Sequence, residues 1–582
     1  MNRFGCLLAL LLPLPVAAAG QGARVDSLAV AYWQVQLDRY PERATLNGIP
    51  GERNARLTDL RPEAFTEYAG RLRELLRAAA TVDRGALDRA GEVNLQLLQE
   101  FLSRDLSVAA CRNELWSVDQ QNGPQVALAD LVARQPLGTA EQREMARRRW
   151  GAMGSYLDQL TANLQRGLDS GYAAPRIVVQ RVLGQLDALL LQTPDRSPFF
   201  PPALRTPRPA DRRDAAAFRA LVRDSVLPGF RRYRAFLRLR YQPRSRTEPG
   251  VSSIPGGVAC YRALIRAHTS LDLSAGVIHA IGEMEVDSIH REMLVVAGRR
   301  FHSGNLDSVF RVLRTDPRYS FRTRQEVLAA AVNATARMQR KLPELLGRLP
   351  QRGLLVERMP AYQERDAPAA YYFPGPGEDK SQPGKFLVNT YLPSSRPRFT
   401  AEVLAFHEGV PGHHVQVALA QELPLPDFRR YGGGTTAFEE GWALYTERLA
   451  DEAEMYSSDL DRLGMLVFQS WRASRLVIDT GIHALGWSRQ QAIDYLLAHT
   501  ALSRQDVESE VDRYIVWPGQ ALGYAIGRRE IVRLRREAED SLGSRFDLSG
   551  FHDQVLNDGA VTLPVLQDKI HRWIGVMSAT PQ

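Results

Sequence analysis

A helical hydrophobic period runs through most of this chain, and only residues 359–393 replace it with β-type patterning. Within 65–79, 92–106, 144–168 and 216–239, apolar residues recur at three-to-four spacing between charges, as in helices with one buried face. A second helical run spans 274–349 with a turn-like stretch at 314–319, and helical patterning resumes from Thr400 to the carboxyl terminus. Residues 193–213 (TPDRSPFFPPALRTPRPADRR) cannot form a continuous helix, because proline removes a backbone donor and clashes with the preceding turn. They read as a long loop between helical layers. The exceptional stretch holds AAYYFPGPG and GKFLVNTYL, aromatic and β-branched runs bounded by Gly and Pro. The expected fold is mainly α: a large helical body with a central cleft and a small sheet or hairpin just ahead of one helix. A leader at 1–19, a helical region at 20–250 and a second region at 251–582 are expected, the last two forming one integrated body.

Composition narrows the function classes. The chain has 582 residues, 44% hydrophobic and 24% charged, which excludes wholesale disorder, a coiled-coil rod and a polytopic membrane protein. Its net charge is 74 − 66 = +8, but the basic residues are almost all arginines dispersed along the chain. No long basic run or nucleic-acid motif appears, so no nucleic-acid partner is expected. Residues 1–19 (MNRFGCLLALLLPLPVAAA) combine Arg3, an apolar core and Ala17-Ala18-Ala19, the layout of an export signal cleaved near Ala19. Cys6 lies too early, with no small-residue cleavage site before it, to read as a lipoprotein cysteine. A periplasmic or secreted location follows. Cys111 and Cys260 then permit one disulfide in an oxidising compartment, or stand as isolated buried thiols. No later stretch approaches the ~20 apolar residues of a membrane span, so no stable membrane insertion is expected.

The informative helix reads TAEVLAFHEGVPGHHVQVALAQ, Thr400 to Gln421. His407-Glu408 opens like the HExxH zinc motif, in which histidines at i and i+4 bind one metal and the Glu acts as general base. Here Pro411 occupies i+4, and the next histidines are His413 and His414. On an unbroken helix, at ~100° per residue, His413 falls on the wrong side and His414 on the right side but ~10.5 Å along. Pro411 and Gly412 suit a local bulge that absorbs the two extra residues and swings His413 into place. His414 remains the alternative ligand. After the loop LPLPDFRRYGGGTT, Glu440 opens the next helix as a third ligand, and Glu447 two turns on is placed to orient a ligand histidine. Two imidazoles and one carboxylate leave an open position, as a catalytic zinc requires.

HEGVPGHHVQ (407–416), FEEGWALYTERL (438–449), WRASRLVIDTGIHALGWS (471–488) and YIVWPGQALGYAIG (514–527) together resemble the DUF885 family of bacterial proteins. The resemblance is strong over 370–530 and weaker over the rest. It implies a gluzincin-like zinc metallopeptidase body of the HExxH clan, one Zn2+ per chain, and the family's PGH pattern on His413.

The expected chemistry is hydrolysis of an amide in a peptide or small amide substrate, with zinc on His407, His413 and Glu440 and with Glu408 as general base. His483 and Tyr524 are the candidate oxyanion donors, with Tyr445 behind them at the substrate. The strand GKFLVNTYL is expected to be an edge that pairs with substrate backbone, with Asn389 bonding a substrate amide. Tyr371 and Tyr372 shape a pocket or pack, Arg513 and Arg528 are candidates for a substrate carboxylate, and His268, His279, His290 and His302 read as structural. A metal-dependent amidohydrolase of a non-peptide amide and a binding protein that has lost catalysis are the alternatives. The intact Glu408 speaks against the second.

Overall fold

The computed structural model describes residues 20–579 apart from 361–363, 365–366, 376–381 and 433–434. The expected leader lies outside the described residues. The architecture is mainly α, with one three-stranded sheet. The periodic windows fold as expected into Pro62–Ala80, Arg89–Ala109 and Ala140–Asp169, the last opened by a capping box of Thr139 and Gln142. The fourth window is an irregular helix in which Arg212–Leu221 and Leu227–Phe236 are each followed by a π turn. In the proline-rich stretch only the short 3₁₀ turns Pro202–Leu204 and Pro209–Asp211 form before that helix begins.

Apolar burial joins the amino-terminal and carboxyl-terminal regions. One core gathers Trp33, Leu97 and Phe101 with Phe406, Phe438, Trp442 and Leu566. Another gathers Trp150, Phe199 and Phe230 with Ile478, Ile482 and Tyr514. Each such side chain, fully buried, stabilises by roughly 1.5–3 kcal/mol, so neither region exposes its share without a large loss. Cys111 and Cys260 form a disulfide across the same junction, with Cα atoms 4.9 Å apart. Among the described residues, no helix is long and apolar enough to cross a membrane.

The sheet contains β1 (Leu354–Arg358), β2 (Ala370–Phe373) and β3 (Gly384–Val388) in the order β1-β3-β2. β3 runs parallel to β1, with Val356 opposite Phe386, and antiparallel to β2, with Tyr372 opposite Phe386. The expectation that GKFLV is an edge strand is therefore corrected. β3 is central because β1, a short apolar run upstream of 359–393, takes its other side. The edge next to the site is β2.

The expectation of one helix from Thr400 to Gln421 with a local bulge at Pro411 is also corrected. Ala401–Leu404 passes into a π turn at Ala405–Gly409, Val410 is extended, the Val410–Pro411 peptide is cis, and a new helix covers His413–Glu422. Gly412 is required where the chain folds back, since a Cβ there would lie 1.9 Å from the His407 carbonyl oxygen. The next long helix, Thr436–Glu452, packs tightly on Leu522–Leu542. Gly441 and Gly527 allow that approach: a Cβ on Gly527 would sit 1.7 Å from the Ala437 carbonyl oxygen. The helix Asp459–His483, capped by Ser458, is buried at 463–470 and again at 472–483. A helix buried all round must find internal partners for its polar side chains.

Candidate metal centre

The break at Val410–Gly412 brings His407 and His413 face to edge, with ring centroids 4.9 Å apart. Glu440, in the first turns of Thr436–Glu452, approaches both: its Oε2 is 3.6 Å from His407 Nε2 and 3.5 Å from His413 Nε2. These separations are long for hydrogen bonds. They match two ligands of one tetrahedral ion, which at ~2.1 Å bonds stand ~3.4 Å apart. One donor atom from each of the three lies within 4.8 Å of the others, the one such group of His, Cys, Asp or Glu among the described residues.

The surroundings fit a cation. Glu447, fully buried, places Oε1 2.8 Å from His407 Nδ1, which turns Nε2 toward Glu440. Burial opposes the charged form of His407, yet Glu440 and Glu447 outweigh it and raise its pKa to about 9. Burial opposes the Glu440 carboxylate too, but the two imidazoles hold it well below its ordinary range. The donor set of two imidazoles and a carboxylate, surrounded by further carboxylates, therefore fits a divalent ion of the zinc type.

Glu408 is half-buried beside the ligands, and its Oε2 accepts the Tyr372 backbone N–H at 2.9 Å. This bond from the edge strand fixes the carboxylate and was not foreseeable from sequence, since it depends on which way β2 faces. His414 lies outside the three-residue group. Its Nδ1 is 3.3 Å from the Tyr372 hydroxyl, and burial lowers its pKa to about 4. Tyr524 is half-buried over the Arg475 guanidinium at 4.4 Å, and burial followed by the charge of Glu440 raises its pKa, which places the phenol within the field of the site.

Five other candidates are corrected. His483 is fully buried, its Nδ1 accepting the Val251 N–H and its Nε2 donating to the Tyr514 carbonyl, both at 3.0 Å. With both ring nitrogens used by backbone, it has no donor for an oxyanion. Tyr445 accepts from Arg535 at 3.1 Å and donates to His552 Nε2 at 2.7 Å, so its hydroxyl is committed away from substrate. Asn389 donates to the carbonyls of Glu364, Ala367 and Pro368 and accepts the Tyr391 N–H, so its amide ties loops together. Arg513 is taken by Glu510 and Gln520, and Arg528 by Glu285 and Gln469, so neither is open for a carboxylate as expected. His268, His279 and His290 contact Thr436, Thr480 and the His499 carbonyl, and His302 is exposed. Sequence reading passed over Arg472 and Arg475, although their i, i+3 spacing within WRASRLV placed them on one helix face.

The whole architecture recurs in solved structures. "The putative lipoprotein from Colwellia psychrerythraea" is 26% identical, covering 96% of this chain and 100% of that one with a TM-score of 0.89. "A putative lipoprotein of unknown function from Shewanella oneidensis" is 16% identical over 95% of this chain and 99% of that one, with a TM-score of 0.74, a likeness of fold alone. No curated protein matches significantly. The family model described as "Bacterial protein of unknown function (DUF885)" matches residues 41–570, nearly the whole helical body together with the sheet and the histidine–glutamate cluster, and the chain belongs to that family.

Proposed function

We propose that this chain is an exported zinc metallopeptidase that hydrolyses short peptides, gluzincin-like in taking two histidines from one segment and a glutamate from the next helix. The observation that carries the reading is the convergence of His407, His413 and Glu440 with Glu408 adjacent in sequence and Glu447 behind His407. A zinc ion on the three ligands would supply Lewis-acid polarisation of a carbonyl and acidification of a water. Glu408 takes the proton from the attacking water and returns it to the leaving amine, its carboxylate held in place by the Tyr372 N–H. Tyr524 donates a hydrogen bond from its phenolic O–H to the developing oxyanion and keeps its proton, as its raised pKa favours. The backbone of β2 offers the substrate an edge beside Glu408. Export is supported by the leader pattern at 1–19, by the Cys111–Cys260 disulfide and by the description of the Colwellia psychrerythraea neighbour as a "putative lipoprotein".

The test is a peptide-library digest by the zinc-loaded chain beside its Glu408→Gln variant. Cleavage products from the first and none from the second are expected. Turnover of only non-peptide amides moves the reading to an amidohydrolase, and equal cleavage by both proteins contradicts the assigned base.

A further inference from the structure

One face of the Asp459–His483 helix carries buried charge that the proposed mechanism leaves unused. Arg472 and Arg475, one turn apart, are 5% and 3% exposed. Arg472 Nε and Nη1 and Arg475 Nη1 are buried without a hydrogen-bond partner among the described residues. A buried guanidinium left so is costly unless an anion completes it. Both side chains are shaped to present their edges. Arg472 lies 4.4 Å from the Phe468 ring centroid and 4.3 Å from that of Trp471. Arg475 lies 4.6 Å from the Trp471 ring and 4.4 Å from the Tyr524 ring. Aromatic faces cover the planes; Arg475 Nε and Nη2 are spent on Tyr514 and Glu510, which leaves Arg475 Nη1 and Arg472 Nε and Nη1 to meet a ligand.

The local charges do not balance within the cluster. Arg475 and Arg513 share Glu510 at 3.1 and 2.9 Å, Glu510 also accepts from Tyr514, and Arg513 finishes on Gln520. Arg472 shares none of these partners. Its field reaches Glu447 and Glu440, so Arg472 stands close to the proposed metal ligands, and Tyr524, which Arg475 covers, feels the charge of Glu440 as well. The way in is at Glu440 and His413, whose side chains keep 22% and 16% of their surface exposed.

We infer that Arg472 and Arg475 form an anion subsite beside the metal centre that takes the terminal carboxylate of a peptide. A planar carboxylate matches the guanidinium N–H groups, and the position of Arg472 within the field of Glu440 and Glu447 puts the cleaved bond near the free carboxyl end. The enzyme is then a carboxypeptidase, an assignment that rests on the peptidase reading above. The competing role for Arg472 is to balance Glu447, whose Oε2 is likewise buried without a partner.

The experiment uses zinc-loaded chain and a pool of N-acetylated tetrapeptides, either with free carboxyl termini or amidated. Binding is measured on Glu408→Gln protein and cleavage on the unsubstituted chain. The free-acid pool is expected to bind and to be cleaved at least about tenfold better than the amide pool. Arg472→Met and Arg472→Lys should each abolish that preference while keeping zinc. Equal treatment of the two pools by the unsubstituted chain overturns the subsite and leaves the peptidase, and needs no variant to fold. Preferential binding of acids without any cleavage keeps the subsite and overturns the peptidase. Loss of zinc in the folded Arg472 variants, with the acid preference intact, assigns Arg472 to Glu447 and overturns the proposal. Competition by inorganic phosphate without an acid-over-amide preference overturns it in favour of a free-anion site.

Discussion

The Glu447 carboxylate holds His407 Nδ1 at 2.8 Å from within a fully buried position, 40 residues away in sequence. This bond fixes the tautomer and the ring angle, so that Nε2 and not Nδ1 is presented to Glu440 and His413. Replacing Glu447 by Gln keeps the shape but removes the charge that raises imidazole basicity. Zinc affinity is expected to fall ~10–100-fold, read by competition with a chromogenic chelator. An unchanged affinity contradicts the orienting role.

Glu408 is not one of the three proposed ligands, and among the described residues its carboxylate accepts the Tyr372 N–H. Glu408→Gln should therefore retain zinc and fold while turnover falls by ~10²–10⁴. Metal analysis and peptide cleavage on the same preparation check both halves.

Gly527 packs its Cα side against the Ala437 carbonyl, one turn before Glu440. Gly527→Ala forces the two helices apart, and a loss of about 3 kcal/mol or more in urea denaturation is expected. The same variant should bind zinc less tightly, because Glu440 moves with its helix.

His483 predicts an acid sensitivity. Burial, with Arg246 adding repulsion, lowers its pKa to about 3, and a proton on Nδ1 would displace the Val251 N–H. A folded pKa below the unfolded value means that stability is complete above ~6.5 and is lost as pH falls toward the folded value, at up to ~1.4 kcal/mol per unit. Between about pH 7.5 and 5, His483→Gln should lose ~2 kcal/mol less than the unsubstituted chain. Equal slopes in denaturation against pH contradict this.

The cluster of His407, His413 and Glu440, with Glu408 beside it, was legible because its chemistry is a property of residue type in local order: His407, Glu408 and His413 sit within one short segment, and Glu440 opens the next long helix. The helical windows were legible for the same reason, since a period of 3.6 is written in neighbours. What sequence missed depends on distant backbone. His483 looked free because its partners, Val251 and Tyr514, lie 232 and 31 residues away. Tyr445 was misread because His552 comes from a helix 107 residues on. β3 was read as an edge because β1 is a short run without alternation, and only the register between them makes β3 central. The bulge expected at Pro411 proved to be a complete break, because Val410 turns extended before the proline.

The most direct test of the metal centre is zinc content of the purified mature chain compared with His413→Ala and His414→Ala. About one zinc per chain is expected, lost in His413→Ala and kept in His414→Ala. Zinc absent from the unsubstituted chain under chelator-free conditions, or lost with His414 and kept without His413, would contradict the centre described here.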